Sequence, residues 1–354
     1  MVFHAGVLFR LNEAAVLPKL ARISSVSGGS ITAGALAMAW PRLEFRYGKA
    51  TRLDEFVALI RAVADVTVDM PAIIGGLLLP GSISGRVAAA YDRLLFRGAT
   101  LQDLPDDHGG AAPRFVFNAT NMQTSALWRF SRPYMGDYRV GLVHAPLARL
   151  CDVVAASSAF PPLLSPATLA IKQAVAAVPG ADLSRPPFTR EAILSDGGVY
   201  DNLGLETLKG FATVLVSDAG QKIGPQEQPR RNWIGHAMRV FDTVDNQVRS
   251  LRKRQLMASY RGGALTGCYW GIRTDVADYG NPDDPLGARS RDPSQLAALP
   301  TRLKRMPRSM QDRLMNWGYA VCDTALRTHV TPALQEELGI SIGTPAGFPF
   351  PGSY

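Results

Sequence analysis

The chain has few cysteines and no long apolar run. Its 354 residues include three cysteines, Cys151, Cys268 and Cys322, which are far apart and match no metal-binding spacing. So sparse a set predicts reduced thiols in a cytoplasmic protein rather than a disulfide framework. A membrane-spanning helix needs about 20 apolar residues. The best candidate, residues 71–80, has about half that length and contains two glycines, so it fits a buried loop or a segment that dips into a lipid interface.

Acidic residues are outnumbered by basic ones. The net charge is +8, with 47% hydrophobic and 19% charged residues, which is typical of a globular protein with a sizeable core. Residues 221–262 contain nine Lys or Arg against three Asp or Glu, including Arg252, Lys253 and Arg254. This basic region is either a solvated helix face or a surface that binds anionic membranes. No nucleic-acid-binding motif accompanies the charge, so we expect no nucleic-acid partner.

Helical and strand patterns alternate along the chain without an internal repeat. Apolar spacing predicts helices at residues 3–17, 28–40, 54–66, 85–96, 147–159, 233–259 and 309–327, and strands at 21–26, 114–120, 127–130, 192–195, 212–217 and 267–274. We therefore expect one α/β domain over residues 1–354 with a mostly parallel central sheet. Residues 41–110 are predicted to be a cap-like insertion, 275–300 a surface loop, and the tail from 339 irregular.

One serine lies where a strand is predicted to turn into a helix. The stretch Ser25-Val26-Ser27-Gly28-Gly29 follows a short β-branched run and precedes an Ala-rich helix. A nucleophilic serine on such a turn needs small residues two positions away on each side, because the chain folds back on itself there. The helix N-terminus favours a developing oxyanion, and the N–H of Gly28 is its natural first donor. Ordinary packing of small residues is the alternative interpretation of this stretch.

A carboxylate with two glycines after it lies at the end of another predicted strand. Asp196-Gly197-Gly198 follows the strand at 192–195. An aspartate can deprotonate a serine without a histidine if it is held within hydrogen-bond reach. Taken alone, this tripeptide is more often a simple turn.

Together these motifs resemble the patatin-like phospholipase family. The resemblance is carried by SSVSGGS, FVFNATNMQTSALWRFS and SDGGVYDNLG, and extends from about residue 3 to the final helix. It implies a three-layer α/β/α fold and a Ser–Asp dyad that hydrolyses acyl esters of lipids without a metal or organic cofactor. By position, Ser27 would be the nucleophile and Asp196 the general base, with Gly197 and Gly198 shaping its loop.

The resemblance is incomplete at the N-terminus. Family members carry a Gly-Gly-Gly-x-Arg segment before the first helix, and its N–H groups build the oxyanion hole. Here Met1 to His4 already lie in the predicted helix. We therefore expect the sequence as given to lack that loop, to be weakly active or inactive, and to aggregate. The rival hypothesis is a non-catalytic membrane- or protein-interaction module on a hydrolase scaffold.

Other polar residues are weaker candidates for catalysis. A Ser-His-Asp hydrolase would place its histidine after Asp196, which leaves His236 or His329, and His4 lies near the expected loop. Asp201 and Asp218 are alternative carboxylates, and Asp218 is expected to cap the next turn. Asn118 and Asn121 either support the active-site loops or bond within the core.

Overall fold

The computed structural model describes residues 1–68, 82–221, 223–300 and 302–353. The predicted segment 71–80 therefore lies outside the described residues. The described α-helices are α1 (Val2–Glu13), α2 (Gly28–Ala39), α3 (Leu53–Ala64), α4 (Ile83–Tyr91), α5 (Leu150–Ser157), α6 (Gly198–Asp201), α7 (Trp233–Arg261), α8 (Ser294–Ala297), α9 (Arg308–His329) and α10 (Pro332–Leu338). Among these residues, no helix is long and apolar enough to cross a membrane.

The described strands form one large sheet and two small ones. They are β1 (Arg22–Ser25), β2 (Phe45–Arg46), β3 (Lys49–Ala50), β4 (Arg114–Asn121), β5 (Ala126–Phe130), β6 (Tyr134–Asp137), β7 (Gly141–His144), β8 (Ala167–Ala170), β9 (Glu191–Asp196), β10 (Thr213–Asp218) and β11 (Thr266–Gly271). Seven of them form the main sheet in the order β7-β6-β5-β4-β9-β8, with β1 also paired to β4.

The main sheet is antiparallel, so the expectation of a mostly parallel sheet is wrong. Within it, β1 runs parallel to β4, while β4–β5, β5–β6, β6–β7, β4–β9 and β8–β9 are antiparallel. Strands β4 to β7 are joined by connections of three or four residues, and links this short can join only antiparallel neighbours. The prediction failed because strands β6, β7 and β8 were not recognised in a stretch rich in Gly and Pro.

Two strands from distant parts of the sequence share one edge of β4. On this edge, Phe117 pairs with Ser25 of β1, and Ala119 pairs with Asp196 of β9. On the other edge of β4, both residues pair with β5. Strand β1 runs parallel to β4 and β9 antiparallel to it. Their carboxyl ends consequently meet beside Phe117–Ala119, where the residues after β1 and the end of β9 come together.

Two helices cover the central strand where those ends meet. Helices α2 and α5 contact each other, and both pack on β4. The Ala-rich sequence of α2 lets its neighbours come close: Gly34 faces the ring of Phe96, to which an added Cβ would approach within 2.8 Å. The apolar faces of both helices are buried in the main core.

The C-terminal helix α9 packs tightly across α1. An added Cβ at Gly318 would lie 2.1 Å from the carbonyl O of Phe3, so only glycine fits this crossing. The contact also carries a buried ion pair, in which Nε of Arg10 donates to Oδ1 of Asp323 over 2.8 Å. The tail crosses the same helices, since the N–H of Ala346 donates to Glu13. Residues near both ends of the chain therefore share one core.

A second, two-stranded sheet lies beside the main one. Strands β10 and β11 are parallel, and the long helix α7 joins them. The segment 275–300 was expected to be a surface loop, but it contributes buried side chains such as Val276, Leu286 and Leu296. Several short helical turns direct these side chains inward, which composition rich in Asp, Pro and Gly does not indicate.

Candidate active site

The turn after β1 holds Ser27 in an unusual backbone conformation. Its φ is 54° and its ψ is −128°, and it immediately precedes the first helical residue of α2. A non-glycine residue in such a region costs on the order of 1–3 kcal/mol and persists only where surrounding structure enforces it. Here the N–H of Ser27 donates to the carbonyl O of Ser157 over 3.1 Å. Nucleophilic serines are exposed on sharp turns between a strand and a helix, and Ser27 lies between β1 and α2.

The N-terminus of α2 presents one unused backbone donor next to Ser27. The N–H groups of Gly29 and Ser30 donate to Val26 and Ser27 respectively, at 2.9 and 2.8 Å. Among the described residues, the N–H of Gly28 donates to no acceptor. An unpaired donor at a helix N-terminus is suited to bind an anion.

Asp196 is a buried carboxylate at the end of β9. Its Oδ1 accepts from the N–H of Gly198 over 2.7 Å, whereas the buried Oδ2 has no hydrogen-bond partner of ordinary geometry among the described residues. Burial raises the pKa of Asp196 to about 6, opposed by the N–H of Gly198 and the nearby Ser27 hydroxyl. The Ser27 hydroxyl is thus close to the carboxylate but makes no hydrogen bond of ordinary geometry with it.

The end of helix α5 connects the two loops. The carbonyl O of Ser157 accepts from the N–H of Ser27 and also from the N–H of Gly197, over 3.1 and 3.3 Å. The N–H of Asp196 donates to the carbonyl O of Ala159 over 3.0 Å. One short segment therefore fixes the distance between the serine and the aspartate. The sequence did not indicate this role of Ser157 and Ala159, because every residue has a backbone carbonyl and its use as an acceptor does not depend on the side chain.

The glycines of the two motifs have different steric roles. An added Cβ at Gly197 would lie 2.3 Å from the carbonyl O of Asn118 on β4, so the close approach of this loop needs glycine. An added Cβ at Gly29 would meet nothing within 4 Å. The expectation that the turn itself requires a small residue at Gly29 is therefore wrong, while Ser25 on the other side is buried.

Asn118 lies beneath the turn and supports it. Its Nδ2 donates to Oγ of Ser24 and to the carbonyl O of Ser25, over 2.9 and 3.0 Å. Its carbonyl O accepts from Oγ of Ser157 over 2.6 Å. Asn121, by contrast, donates to Asp137 in the core. Of the two asparagines, Asn118 is the one that contacts the strand leading to Ser27.

None of the candidate histidines forms a hydrogen bond with Ser27 among the described residues. His236 is exposed on α7. His329 packs edge-on against Tyr279, and burial lowers its pKa. His4 lies with Nδ1 2.7 Å from Oγ of Ser217, and burial lowers its pKa to about 3. The contacts of these histidines supply no base for the serine.

The alternative carboxylates are both held in structural bonds. Oδ1 of Asp218 accepts from the N–H of Gly220 and from Arg249, over 2.8 and 2.6 Å, and Tyr269 donates to Oδ2. Burial alone would raise the pKa of Asp218, but Arg249 and these donors hold it below its usual value. Asp201 is fully buried and accepts from the N–H of Glu206 over 2.8 Å. Asp196 is the one of the three with an oxygen left without such a bond.

Helix α7 carries most of the basic region past the site. Arg252 donates to the carbonyl O of Tyr200 and to Glu206, over 3.0 and 3.3 Å, and the Lys253 ammonium lies 4.2 Å from the centre of the Tyr269 ring. These two cations therefore contact the protein itself, whereas Arg254 is exposed and forms no ion pair within the described residues. Asp245, also on α7, is near enough to raise the pKa of Asp196 further. Sequence analysis did not identify Asp245, because it is distant from Asp196 along the chain.

Metal ligands do not cluster in the part of the chain that the structure describes. No group of three or more His, Cys, Asp or Glu side chains there could hold a metal ion. The three cysteines are buried and unpaired with one another.

The sequence matches the profile of a known protein family. The sequence profile described as patatin-like phospholipase matches residues 1–209, more than half of the chain. The chain belongs to the patatin-like phospholipase family. The match includes the turn at Ser27, the strand β4 and the Asp196 loop. The patatin-like match does not include β10, α7, β11 or α9.

Similarity to individual proteins is lower. The crystal structure of VipD from Legionella pneumophila is similar to this chain with a TM-score of 0.38 and 14% identity, over 93% of this chain and 65% of that one. The chain therefore spans less than two thirds of the length of VipD, and a similarity this low carries no conclusion about substrates. A search of curated proteins found no match.

Proposed function

We propose that the protein is a lipid acyl hydrolase with Ser27 as nucleophile and Asp196 as general base. The main support is that one segment binds both loops: the carbonyl O of Ser157 accepts from the N–H groups of Ser27 and Gly197. It thereby holds a serine with strained backbone next to the buried Asp196, whose Oδ2 has no hydrogen bond of ordinary geometry. Family membership supports lipid esters as the substrate class. Neither residue needs a histidine for this chemistry.

The geometry supports a two-step mechanism. Oγ of Ser27 attacks the ester carbonyl while Oδ2 of Asp196 accepts its proton. The tetrahedral oxyanion forms beside the N–H of Gly28 at the positive end of α2, which stabilises the developing charge. The alcohol leaves with the proton from Asp196, and an acyl-Ser27 remains. Asp196 then deprotonates a water that attacks this ester, and it returns the proton to Oγ of Ser27 as the Oγ–acyl bond breaks and the fatty acid is released.

Exposed apolar side chains beside the site favour a lipid substrate. Phe160 and Leu163 are about half exposed and directly follow the residues that bind Ser27 and Asp196. Ser165, in the same loop, donates to Ser195 over 3.1 Å. We infer that this loop contacts the acyl chain, since apolar surface next to a hydrolytic serine excludes water and binds hydrocarbon.

The basic region supplies a second part of the proposal. We infer that the exposed cations Arg230, Arg231 and Arg254 bring the enzyme to anionic headgroups, whereas Arg252 and Lys253 are used within the protein. Attraction of this kind weakens as added salt screens the charges. Reversal of the charge at the three exposed arginines should therefore reduce binding to anionic vesicles.

Labelling with a serine-directed fluorophosphonate tests the catalytic assignment. In the full-length natural protein, peptide mapping should find the label on Ser27, and Asp196→Ala should reduce the labelling rate by about a hundredfold or more. Ser27→Ala serves as the unlabelled control. A folded protein that takes no label would overturn the proposal in favour of a non-catalytic interaction module. Label on a different serine would overturn it as well.

A further inference from the structure

Helix α7 presents apolar side chains to solvent along one side. Residues Val240, Val244, Val248 and Leu251 follow one another at intervals of three or four, so they lie on one face of the helix. Trp233 begins the row and is 84% exposed, with Ile234 beside it at 68%. From Trp233 to Leu251 the row is roughly 27 Å long at the usual helical rise. We call these six residues the apolar row.

The opposite side of α7 binds the protein through polar groups. Arg249 pairs with Asp218 over 2.6 Å, and Arg252 donates to the carbonyl O of Tyr200. Further along, the hydroxyl of Tyr260 donates to the carbonyl O of Val214 over 2.8 Å. These bonds fix the rotation of the helix. A surface helix ordinarily turns its apolar side inward. The C-terminal part of α7 does so through Leu256, whereas the apolar row faces out.

Cations accompany the apolar row. Arg230 and Arg231 lie just before Trp233, and Arg254 follows Leu251; all three are exposed and form no ion pair within the described residues. The sequence of α7 itself has six Lys or Arg and two Asp. Exposed Trp and aliphatic side chains with flanking arginines are typical of helices that lie in a lipid interface.

The same charges argue against a second copy of this chain as the occupant. Two copies of α7 packed face to face would bring the exposed arginines of one copy close to those of the other, which is unfavourable. An anionic bilayer is complementary to both features, since it offers negative headgroups to the arginines and hydrocarbon to the row.

We propose that the apolar row of α7 inserts into the boundary between headgroups and acyl chains of an anionic bilayer, which places Ser27 at the lipid surface. This inference rests on the proposed function for its substrate, but the insertion itself does not require catalysis. Arg252 ties α7 to Tyr200, four residues after Asp196, so a bilayer bound at α7 lies next to the candidate site. Insertion of the apolar row is a separate interaction from the attraction between the exposed arginines and the headgroups.

Tryptophan fluorescence gives a specific test. Of the five tryptophans, Trp40, Trp128, Trp270 and Trp317 are buried, so a change in emission on lipid binding reports on Trp233. The Ser27→Ala protein is mixed with vesicles of phosphatidylcholine and phosphatidylglycerol, so that hydrolysis cannot alter the lipid. We expect a blue shift and quenching by lipids brominated in their acyl chains, both lost in Trp233→Phe although that variant still sediments with vesicles. Sedimentation without either emission change overturns insertion.

Substitutions on the apolar row and away from it separate insertion from charge attraction. The double variant Val240→Asp and Val244→Asp should bind the vesicles about a hundredfold more weakly, since each lost apolar contact is worth about tenfold. Thr243→Asp together with Thr266→Asp adds the same charge off the row and should bind nearly as well as the parent. Equal loss in both double variants overturns the proposal, because charge alone would then explain binding. A dimer in solution that the valine substitutions dissociate also overturns it, in favour of a second copy.

These outcomes are distinguishable from failure of the proposed function. A protein whose Ser27 takes no fluorophosphonate label but whose Trp233 enters the bilayer keeps the insertion and loses the catalytic assignment. A protein that labels on Ser27 but shows no insertion has the reverse outcome.

Discussion

At the scale of single residues, the site depends on a carboxylate that burial makes less acidic than usual. Asp196 has one oxygen bonded to the N–H of Gly198 and one without a bond of ordinary geometry. A base with a pKa of about 6 is ionised at neutral pH, yet it is basic enough to take a proton from a serine during attack. The same burial that raises the pKa of Asp196, as the proposed base requires, makes its charge unfavourable for folding.

The first residue-scale prediction concerns pH. Because the base must be ionised, hydrolysis of a soluble ester should rise with pH through about 6 and level off above it. Asp245→Asn removes a negative charge that raises the pKa of Asp196, so the rise should move to lower pH. Asp242→Asn, on the same helix, is the control and should shift it less. A pH–rate profile of the three proteins measures this, and an unshifted profile for Asp245→Asn would contradict it.

The second residue-scale prediction concerns stability. The folded pKa of Asp196 is above its usual value, so the folded state loses stability as pH rises from about 4 to about 6. Asn keeps an acceptor for Gly198 and carries no charge. Asp196→Asn should therefore abolish activity while it stabilises the protein by roughly 1–3 kcal/mol at pH 8, and by little at pH 4.

Asp137→Asn provides the matched control for that experiment. Asp137 is buried with both oxygens bonded, to Asn121 and Thr124 on one side and to two backbone N–H groups on the other. The same substitution there puts an amide N–H against donors and should destabilise the protein. Thermal unfolding at both pH values decides the matter; no gain for Asp196→Asn at pH 8 would be inconsistent with a costly buried charge.

At the scale of elements, the site forms where strands of opposite direction share one edge of β4. The carboxyl ends of β1 and β9 meet beside Asn118, and the end of α5 binds the residues that follow both. An arrangement of this kind needs close backbone contact rather than long side chains. The rigid strands and the segment 157–159 thus hold Ser27 near Asp196 with little freedom.

Gly197 is where this contact is closest, which leads to the element-scale prediction. Gly197→Ala would push its Cβ against the carbonyl of Asn118, only 2.3 Å away, and displace the Asp196 loop. We expect a loss of roughly 1–3 kcal/mol in stability and a drop in kcat of about a hundredfold. Gly29→Ala, with nothing within 4 Å, should not lower the melting temperature. If both variants unfold at the same temperature as the parent, the steric explanation is wrong.

At the scale of the whole molecule, helix α9 completes the core although it lies beyond the family match. The match ends at residue 209, while α9 packs on α1, and its buried Asp323 accepts a hydrogen bond from Arg10. The two helices approach closely because Gly6 of α1 lies against the backbone of Met315, and Gly318 of α9 lies against the backbone of Phe3. Residues 1–209 therefore do not bury their own apolar surface without the C-terminal part.

The whole-molecule prediction tests that dependence. Gly318→Ala places a Cβ 2.1 Å from the carbonyl of Phe3, so α1 and α9 must separate. We expect a loss of roughly 3 kcal/mol or more of unfolding free energy, because the backbone atoms in the way cannot rotate aside. Gly343→Ala, where the Cβ meets nothing within 4 Å, should be neutral. Denaturant unfolding of both variants measures the difference, and equal midpoints would show that the crossing is not a tight contact.

Local patterns were sufficient for much of the structure and for the candidate pair. Apolar spacing located α2, α3, α9 and most strands within a few residues, and small residues around Ser27 indicated the turn. Strand direction could not be predicted in the same way, because β6 to β8 are short and lie in a stretch rich in Gly and Pro. The apolar row of α7 also escaped notice, since periodicity marks an amphipathic helix without saying which side faces the core.

The sequence by itself determined the chemistry available to this protein: the serine on its turn, the Asp-Gly-Gly loop and the basic helix follow from residue type and spacing. Only the tertiary structure decided how they are used. Ser27 and Asp196 are 169 positions apart, and they meet because β1 and β9 occupy the same edge of β4. Likewise, ion pairs to Asp218 and Glu206 turn the apolar side of α7 outward. Such choices depend on long-range contacts, which no local pattern contains.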